Sequence, residues 1–310
     1  MTSSLEGGRS PDRPGRTEER VAAMSRRQGR RYSQAWRNGT KVVLPPLIKS
    51  VMKRDWEGYQ HFPREGGMIV AANHLSYADW PAMSLYVHEA GRYPAFMIKS
   101  SAFDVKLIGP FLRVLGQLPV YRGQADAALV LKDGEQALAA GECLIIYPEG
   151  TATRDPGGWP MLAKTGVARM ALTTGVPVVP VAQWGAQEIL PYGSTRPHVM
   201  PRRCVRMLAG PPVDLSEFEG RPLNREVLRA ATNAIMGDVT GLLAELRGEQ
   251  APAAPYDPAA ARRAARDTPS NPHAPAATAA PAAPPAATPE NLDSATKTTP
   301  GDGPREATQP

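Results

Sequence analysis

A histidine and an aspartate in the stretch AANHLSYADW are the first residues of this chain whose types and spacing could do chemistry. His74 and Asp79 follow a short apolar run and stand five positions apart. That spacing corresponds to about 140° around a continuous helix, so the two side chains would not share a helix face. They meet only if His74 lies in a loop and Asp79 lies near the start of the next helix. A carboxylate that fixes one imidazole tautomer prepares a general base, which helps a hydroxyl to attack a carbonyl carbon.

Each of these two residues also has an ordinary explanation. Asp79 could cap the following helix or complement its dipole, because acidic side chains are favoured in the first helical turn. His74 could be a hydrogen-bonded histidine in a loop. From the residues alone, both the catalytic and the ordinary interpretation stay open.

A second group of polar residues follows another apolar run, in the stretch YPEGTATRD. Gly150 allows the backbone to approach a ligand closely. Thr151, Thr153 and Arg154 can contact phosphate oxygens. Glu149 would repel a phosphate, so we expect it to orient a base or a substrate hydroxyl. A turn that holds an ordinary ion pair is the alternative.

Two further cations stand near the predicted strand ends. Arg122 ends a strand in the stretch VYRG. A lone arginine there is usually a surface residue, whereas Arg122 and Arg154 together could clamp a phosphate. Lys164, in AKTGVARM, is a weaker candidate for the same clamp, because a capped, solvated helix lysine is the simpler interpretation.

The elements that must position these residues alternate between strands and helices. Strands are predicted at residues 68–72 and within RYPAFMIK, GQLPVYRG, ECLIIYPEG, VPVVPVAQW and VRMLAGPPVDL. Helices are predicted within DWPAMSLYVHEA, ADAALVLKDGEQALAAG, MLAKTGVARMALTTG and NREVLRAATNAIMGDVTGLLAELRG. This alternation predicts a single α/β domain with a largely parallel, helix-covered sheet. Ligands of such sheets bind outside the carboxyl ends of the strands, where His74 is expected.

Composition divides the chain into four segments. Residues 251–310 contain 13 Pro and 19 Ala. This composition offers too few large apolar side chains to offset the entropy lost on ordering. Residues 250–310 are therefore predicted to be a disordered tail. Residues 1–25 are predicted to be a disordered basic arm, and residues 26–60 a helical membrane-proximal segment. Residues 61–249 are predicted to form the folded domain.

Positive charge is concentrated at the N-terminal end. Residues 1–41 carry nine Arg and one Lys against three Glu and one Asp, a net charge of +6, which is also the net charge of the whole chain. Such an arm favours an anionic surface, either phospholipid headgroups or nucleic acid, although it could simply aid solubility. The only aromatic residues among residues 1–41 are Tyr32 and Trp36. Two are too few for the interleaved pattern of nucleic-acid binding, so we expect no nucleic-acid partner.

The relation of the chain to a membrane follows from its apolar segments. The run at residues 42–52 is either a helix packed on the core or an interfacial anchor. No run approaches the roughly 20 apolar residues of a bilayer-spanning helix. We therefore expect a peripheral protein on the cytoplasmic face of the cell membrane.

Several common chemistries lack their sequence motifs. The chain contains no G-x-S-x-G, G-x-x-x-x-G-K-[ST], G-x-G-x-x-G, C-x-x-C or H-E-x-x-H stretch, which argues against elbow-type hydrolases, P-loop enzymes and dinucleotide enzymes. The two cysteines are too few for a disulfide framework or a thiolate metal site. A metal site built on His74, Asp79 and Glu149 would lack a second well-spaced histidine.

Four blocks of the chain together resemble the PlsC-like glycerophospholipid acyltransferases, over about residues 50–225. NHLSYADW is similar to the N-H-x-x-x-x-D block of that family, and YPEGTATRD is similar to its F-P-E-G-T-R block. GQLPVYRG and VPVVPVA resemble the second and fourth blocks. The chain departs from the third block, because Ala152 stands where the family has arginine.

The resemblance implies an O-acyltransferase of the 1-acylglycerol-3-phosphate type, which would make phosphatidic acid for phospholipid biosynthesis. His74 would deprotonate the free hydroxyl of lysophosphatidic acid, and Asp79 would orient His74. The alkoxide would attack the thioester of acyl-CoA or acyl carrier protein, without a cofactor or a metal. The residues implied to bind the acceptor are Asn73, Arg122, Glu149, Gly150, Thr151 and Arg154.

Ala152 leaves the acceptor open. Glycerol-3-phosphate, another lysophospholipid or a glycolipid would suit the same chemistry, and Arg154 could supply the charge that Ala152 lacks. A non-catalytic basic protein that binds a membrane or a nucleic acid through its arm is the alternative from another class.

Overall fold

The computed structural model describes residues 45–46, 48–106, 109–110, 112, 117–120, 124–194 and 196–267. Seven strands and six helices have both of their ends within these residues, and residues 45–46, 48–51, 109–110 and 112 are helical as well. The strands are β1 (Met52–Glu57), β2 (Met68–Ala72), β3 (Pro94–Lys99), β4 (Leu118–Val120), β5 (Cys143–Ile146), β6 (Val178–Trp184) and β7 (Arg203–Ala209). The helices are α1 (Asp79–Glu89), α2 (Gln124–Ala139), α3 (Gly166–Thr174), α4 (Ala186–Ile189), α5 (Arg225–Arg247) and α6 (Pro258–Asp267). Short 3-10 turns occupy Tyr59–His61, Ser100–Asp104 and Ser216–Phe218.

The strands form one sheet in the order β1-β7-β6-β2-β5-β3-β4, with β2 at its centre. Five of the six neighbouring pairs are parallel, and only β6 and β7 run antiparallel. This confirms the predicted α/β domain with a largely parallel sheet. The carboxyl ends of β2, β5 and β6 lie side by side, so the loops that follow these strands meet at one edge.

Burial of β2 on both faces explains its uninterrupted apolar sequence. Alternate residues of a strand point to opposite faces. Met68, Val70 and Ala72 pack with residues of α1 such as Tyr86. Ile69 and Ala71 pack on the other side with residues of α3 and α5. Helices therefore cover both faces of the sheet, and β2 carries the loop of His74 out of the centre of the core.

The N-terminal segment differs from its prediction. Residues 52–57 form β1 instead of continuing a helix, and β1 pairs in parallel with β7 at the edge of the sheet. The Trp56 indole N–H donates to the Val205 carbonyl oxygen at 2.9 Å, which ties the two strands together. Lys53, Arg54 and Asp55 are exposed, and charged side chains of this kind are common on edge strands. Because these three residues are charged, β1 lacks the apolar pattern from which a strand is predicted.

The apolar face of residues 48–52 packs on the core. Ile48 and Met52 are buried in the cluster that contains β2. Lys49 and Arg54 both pair with Glu89 of α1, at 2.9 and 2.6 Å. Of the two interpretations of this segment, the described residues therefore support packing on the core.

The C-terminal segment is also more ordered than predicted up to Asp267. Met161 forms an isolated bridge with Tyr256, and the Leu162 N–H donates to the Tyr256 carbonyl oxygen at 2.9 Å. Helix α6 then follows within the segment that composition predicted to be disordered. The predicted arm at residues 1–25 and the rest of the tail, residues 268–310, lie outside the described residues. In the part of the chain that the structure describes, no helix has the length and apolar character needed to cross a membrane.

Candidate active site

His74 and Asp79 meet as the sequence predicted. His74 lies in the loop directly after β2, and Asp79 is the first residue of α1. Their Nδ1 and Oδ2 atoms are 2.8 Å apart, with the Asp79 side chain fully buried and the His74 side chain 14% exposed. When Nδ1–H donates to this carboxylate, Nε2 keeps its lone pair. The geometry therefore suits a histidine that accepts a proton at Nε2.

The Asp79 carboxylate is also fixed by its own loop. Oδ2 accepts the backbone N–H groups of Leu75 at 2.6 Å and Ser76 at 3.0 Å. Asp79 lies in the first turn of α1, where an acid complements the helix dipole. It does not cap the helix, because its two backbone bonds run back to the loop that carries His74.

Asn73 and Gln183 form a buried pair beneath the His74 loop. Gln183 N–H donates to Asn73 Oδ1 at 2.9 Å, Asn73 Nδ2 donates to the Gln183 carbonyl oxygen at 3.0 Å, and Gln183 Nε2 donates to the Asn73 carbonyl oxygen at 2.7 Å. The resemblance implied that Asn73 binds substrate, whereas its amide is turned inward. We interpret Asn73 as a positioning residue that joins the ends of β2 and β6. Gln183 was missed, although a glutamine ending an apolar strand was a signal.

Glu149 fixes the backbone at His74. The side chain is 3% exposed, Oε1 accepts the His74 N–H at 2.9 Å, and Oε2 accepts the Met161 N–H at 3.0 Å. Burial raises the pKa of Glu149 to about 8, and the nearby Asp79 charge adds to this rise while the backbone donors oppose it. Glu149 is an orienting group, as predicted, but it orients the His74 peptide and not a substrate hydroxyl.

The imidazole has an aromatic neighbour as well as an acidic one. The Tyr147 ring stacks on the His74 ring with centroids 4.4 Å apart and an angle of 19° between the planes. Burial raises the pKa of Tyr147 well above its ordinary value, so its phenol stays neutral. Asp79 and Tyr147 together hold the ring in one orientation.

The turn after β5 has two cations beside it. Gly150 has a positive φ of 74°, and a Cβ added there would lie 2.9 Å from Lys164 Nζ. Lys164 precedes α3 instead of lying in a helix, and its N–H donates to the Pro148 carbonyl oxygen at 2.9 Å. Arg154 is exposed on the same turn, next to Thr153, whose N–H donates to the His74 carbonyl oxygen at 2.7 Å.

The remaining predicted residues are distributed differently. Thr151 is half-buried in this turn, whereas Ala152 is buried. A longer side chain at position 152 would therefore have to find room inside the domain. Arg122 lies outside the described residues, so the predicted clamp between Arg122 and Arg154 stays a prediction.

Arg247 contacts two tryptophan rings beside this turn. The Arg247 guanidinium lies 4.2 Å from the Trp159 ring centre and 4.1 Å from the Trp184 ring centre. Its Nη1 donates to the Gly157 carbonyl oxygen at 2.7 Å. This Trp–Arg–Trp stack joins the ends of α5 and β6 to the turn that contains Arg154.

Comparisons with known proteins show which proteins this chain is similar to. The family model described as Acyltransferase matches residues 53–184. A chloroplastic 1-acyl-sn-glycerol-3-phosphate acyltransferase of Brassica napus is 30% identical over 148 residues, which are 46% of this chain and 40% of that protein. A 1-acyl-sn-glycerol-3-phosphate acyltransferase of Bacillus subtilis is 26% identical over 176 residues, covering 57% of this chain and 81% of that protein. The similarity to acyltransferases therefore covers residues 53–184, which are less than half of the chain.

The matched range holds His74, Asp79 and the whole turn from Glu149 to Arg154. The crystal structure of the 1-acyl-sn-glycerophosphate acyltransferase PlsC from Thermotoga maritima superposes with a TM-score of 0.50 at 23% identity, covering 76% of this chain and 90% of that one. That likeness shows a shared fold. The chain spans less than half the length of the plant relative.

Proposed function

We propose that the protein transfers an acyl group to the free hydroxyl of 1-acylglycerol-3-phosphate, giving phosphatidic acid. The observation that carries the proposal is the 2.8 Å contact of His74 Nδ1 with a buried Asp79, beside a turn flanked by Lys164 and Arg154. The plant and Bacillus relatives, named for this acceptor, support the choice of substrate.

The chain's own residues account for the proton transfers. His74 Nε2 takes the proton from the acceptor hydroxyl as its oxygen bonds to the thioester carbonyl carbon of acyl-CoA or acyl carrier protein. Asp79 stabilises the imidazolium that forms. When the tetrahedral intermediate collapses, the carbon–sulfur bond breaks and the leaving thiolate takes the proton from His74. The reaction needs no acyl-enzyme and no proton beyond the one exchanged.

The acceptor phosphate has a matching site in the turn after β5. Arg154 and Lys164 supply positive charge, Thr151 supplies a hydroxyl, and Gly150 leaves the Lys164 ammonium uncrowded. Charge-assisted bonds of this type are stronger than neutral ones. We assign Arg122 to the same phosphate as part of the proposal.

The protein would meet its acceptor at a membrane, because lysophosphatidic acid and phosphatidic acid are bilayer lipids. The basic arm at residues 1–41 supports peripheral binding to the cytoplasmic face of the cell membrane. The absence of a spanning helix among the described residues is compatible with this location.

The decisive experiment is an assay of purified protein with lysophosphatidic acid and labelled oleoyl-CoA, read by lipid separation. We expect phosphatidic acid from the wild-type protein and a loss of about 10²–10⁴-fold in rate for His74→Ala. Thermal unfolding of the variant serves as the control for its fold. Near-normal turnover by a folded His74→Ala protein would contradict the mechanism.

A second acceptor is worth testing because Ala152 is buried where the family pattern has an arginine. Glycerol-3-phosphate, other lysophospholipids and a glycolipid, assayed side by side with lysophosphatidic acid, would identify the acceptor. A preference for one of these others would keep the chemistry and change the substrate.

A further inference from the structure

Five large apolar side chains are exposed in two segments, which are the His74 loop with the start of α1 and the segment between α4 and β7. They are between 37% and 75% exposed to solvent, and we call them the apolar rim. The members of the apolar rim are Tyr77, Trp80, Tyr192, Val199 and Met200. Their number is notable because most of the large apolar residues described in this chain are buried in the core.

Hydrogen bonds hold the two segments together. Ser76 Oγ, in the His74 loop, donates to the Leu190 carbonyl oxygen at 2.6 Å. The His198 N–H donates to the Ile189 carbonyl oxygen at 2.6 Å, so His198 lies next to the end of α4. The Tyr77 ring centre lies 6.5 Å from that of His74. Tyr77 therefore lies beside the imidazole, and the bond from Ser76 to Leu190 brings the segment that carries the rest of the apolar rim next to the His74 loop.

The loop of residues 190–202 is positively charged as well as apolar. It contains Arg196 and Arg202 and no acidic residue. Arg202 Nη2 donates to the carbonyl oxygens of Lys49 and Met52, at 2.6 and 2.7 Å, so this arginine is used within the protein. Arg196 is exposed and stands between Tyr192 and Val199 in the chain. It is placed to meet an anion beside the apolar side chains.

Chemistry of this kind matches the interface of a phospholipid bilayer. Tyrosine and tryptophan favour the headgroup level, because each has an apolar body and a polar tip. Valine and methionine gain by burial in the acyl region, and arginine binds phosphate. Residues 48–54 do not offer the same surface, since Ile48 and Met52 are buried and Lys49 and Arg54 pair with Glu89.

We propose that the apolar rim inserts into an anionic phospholipid bilayer and brings the mouth of the site to the membrane surface. The acceptor lipid then reaches His74 from the plane of the membrane without crossing water. This route for the acceptor rests on the proposed function, whereas the binding of the apolar rim to lipid does not.

The first test is co-sedimentation of the full chain with phosphatidylcholine vesicles, with and without phosphatidylglycerol. We expect the double variant Tyr192→Ser, Met200→Ser to lower the vesicle partition coefficient about tenfold, because both side chains lose interfacial burial. Arg196→Gln should reduce only the part of the binding that needs phosphatidylglycerol. Val105→Ser, at an exposed apolar residue outside the rim, is the matched control and should bind like the wild type.

The second test separates this proposal from the proposed function. We expect the double variant to keep wild-type activity on a short-chain, dispersed lysophosphatidic acid and to lose most activity on the same headgroup embedded in vesicles. If the wild type acylates neither acceptor, the proposed function fails and the co-sedimentation result still decides the binding. The proposal is overturned if the double variant binds vesicles like the wild type, or if Val105→Ser weakens binding equally.

Discussion

At the residue scale, Glu149 has the most constrained carboxyl group of the site, because both of its oxygens accept backbone N–H groups in a buried position. One of these donors belongs to His74 and the other to Met161. The side chain therefore couples the base to the segment that precedes α3. Loss of either bond would let the His74 peptide rotate away from its place above β2.

Glu149→Gln should change both stability and its dependence on pH. The folded protein keeps the Glu149 proton up to about pH 8, whereas the ordinary pKa of this group is 4.5. The unfolding free energy should therefore fall as pH rises between these two values, and the fall should shrink in the variant, which does not titrate. Because an amide nitrogen cannot accept the second N–H, the variant should also lose about 1–3 kcal/mol at low pH. Denaturant unfolding of both proteins on both sides of this pH window measures both effects. Unfolding free energies that change in parallel with pH would contradict the first effect, and equal unfolding free energies at low pH would contradict the second.

Lys164→Ala should weaken binding of the acceptor phosphate. A charge-assisted contact is worth roughly 1.5–3 kcal/mol, so the KM for lysophosphatidic acid should rise about tenfold to a hundredfold, with the KM for acyl-CoA unchanged. Arg221→Ala, at an exposed arginine away from the turn, is the control for the loss of one positive charge. Equal rises in both KM values would argue against a phosphate role for Lys164.

The predictable residues of the site were those whose chemistry shows in a local pattern. His74 and Asp79 stand five positions apart in the sequence, and the structure brings their side chains into contact. The contacts of Lys164 and Gln183 could not be predicted, because a local pattern does not show which other part of the chain each side chain meets. Lys164 lies against Gly150, and Gln183 bonds to Asn73, 110 positions away.

At the scale of elements, the Trp–Arg–Trp stack fastens α5 to the turn that contains Arg154. Arg247→Lys should loosen it, because an ammonium cannot lie flat between the Trp159 and Trp184 rings as a guanidinium does. We expect a loss of about 1–3 kcal/mol in unfolding free energy and a drop in activity. Arg225→Lys, exposed at the other end of α5, should change neither. If Arg247→Lys unfolded with the same free energy as the wild type, the stack would not stabilise the contact of α5 with the turn.

The predicted element types were right where buried residues recur at a regular period. They were wrong where contacts with distant parts of the chain determine the local structure. Strands β2 to β7 follow apolar runs and were predicted. Residues 161–165 were predicted to be helical but lie outside α3, where the Met161 N–H is held by Glu149 and the Leu162 N–H by Tyr256. These two bonds come from parts of the chain that a local pattern does not include.

At the scale of the whole molecule, the single antiparallel pair explains why the apolar rim lies where it does. The chain leaves β6 at the edge of the sheet that carries His74, and β7 starts from that same edge. The loop of residues 190–202 between them must therefore stay beside the site. A largely parallel sheet was predictable from the alternation of elements, whereas this reversal was not, because no local signal separates a short return from a crossover.

The pairing of β1 with β7 also bears on how the chain is made. Trp56 and Val205, joined across these strands, are 149 positions apart. At about 5–20 residues per second, a ribosome needs roughly 7–30 s to synthesise the segment between them. During that time β1 has emerged but β7 does not yet exist, so the nascent chain carries an unpaired strand. The charges of Lys53, Arg54 and Asp55 then act as a safeguard, since they discourage β1 from pairing with strands of neighbouring chains on the same polysome.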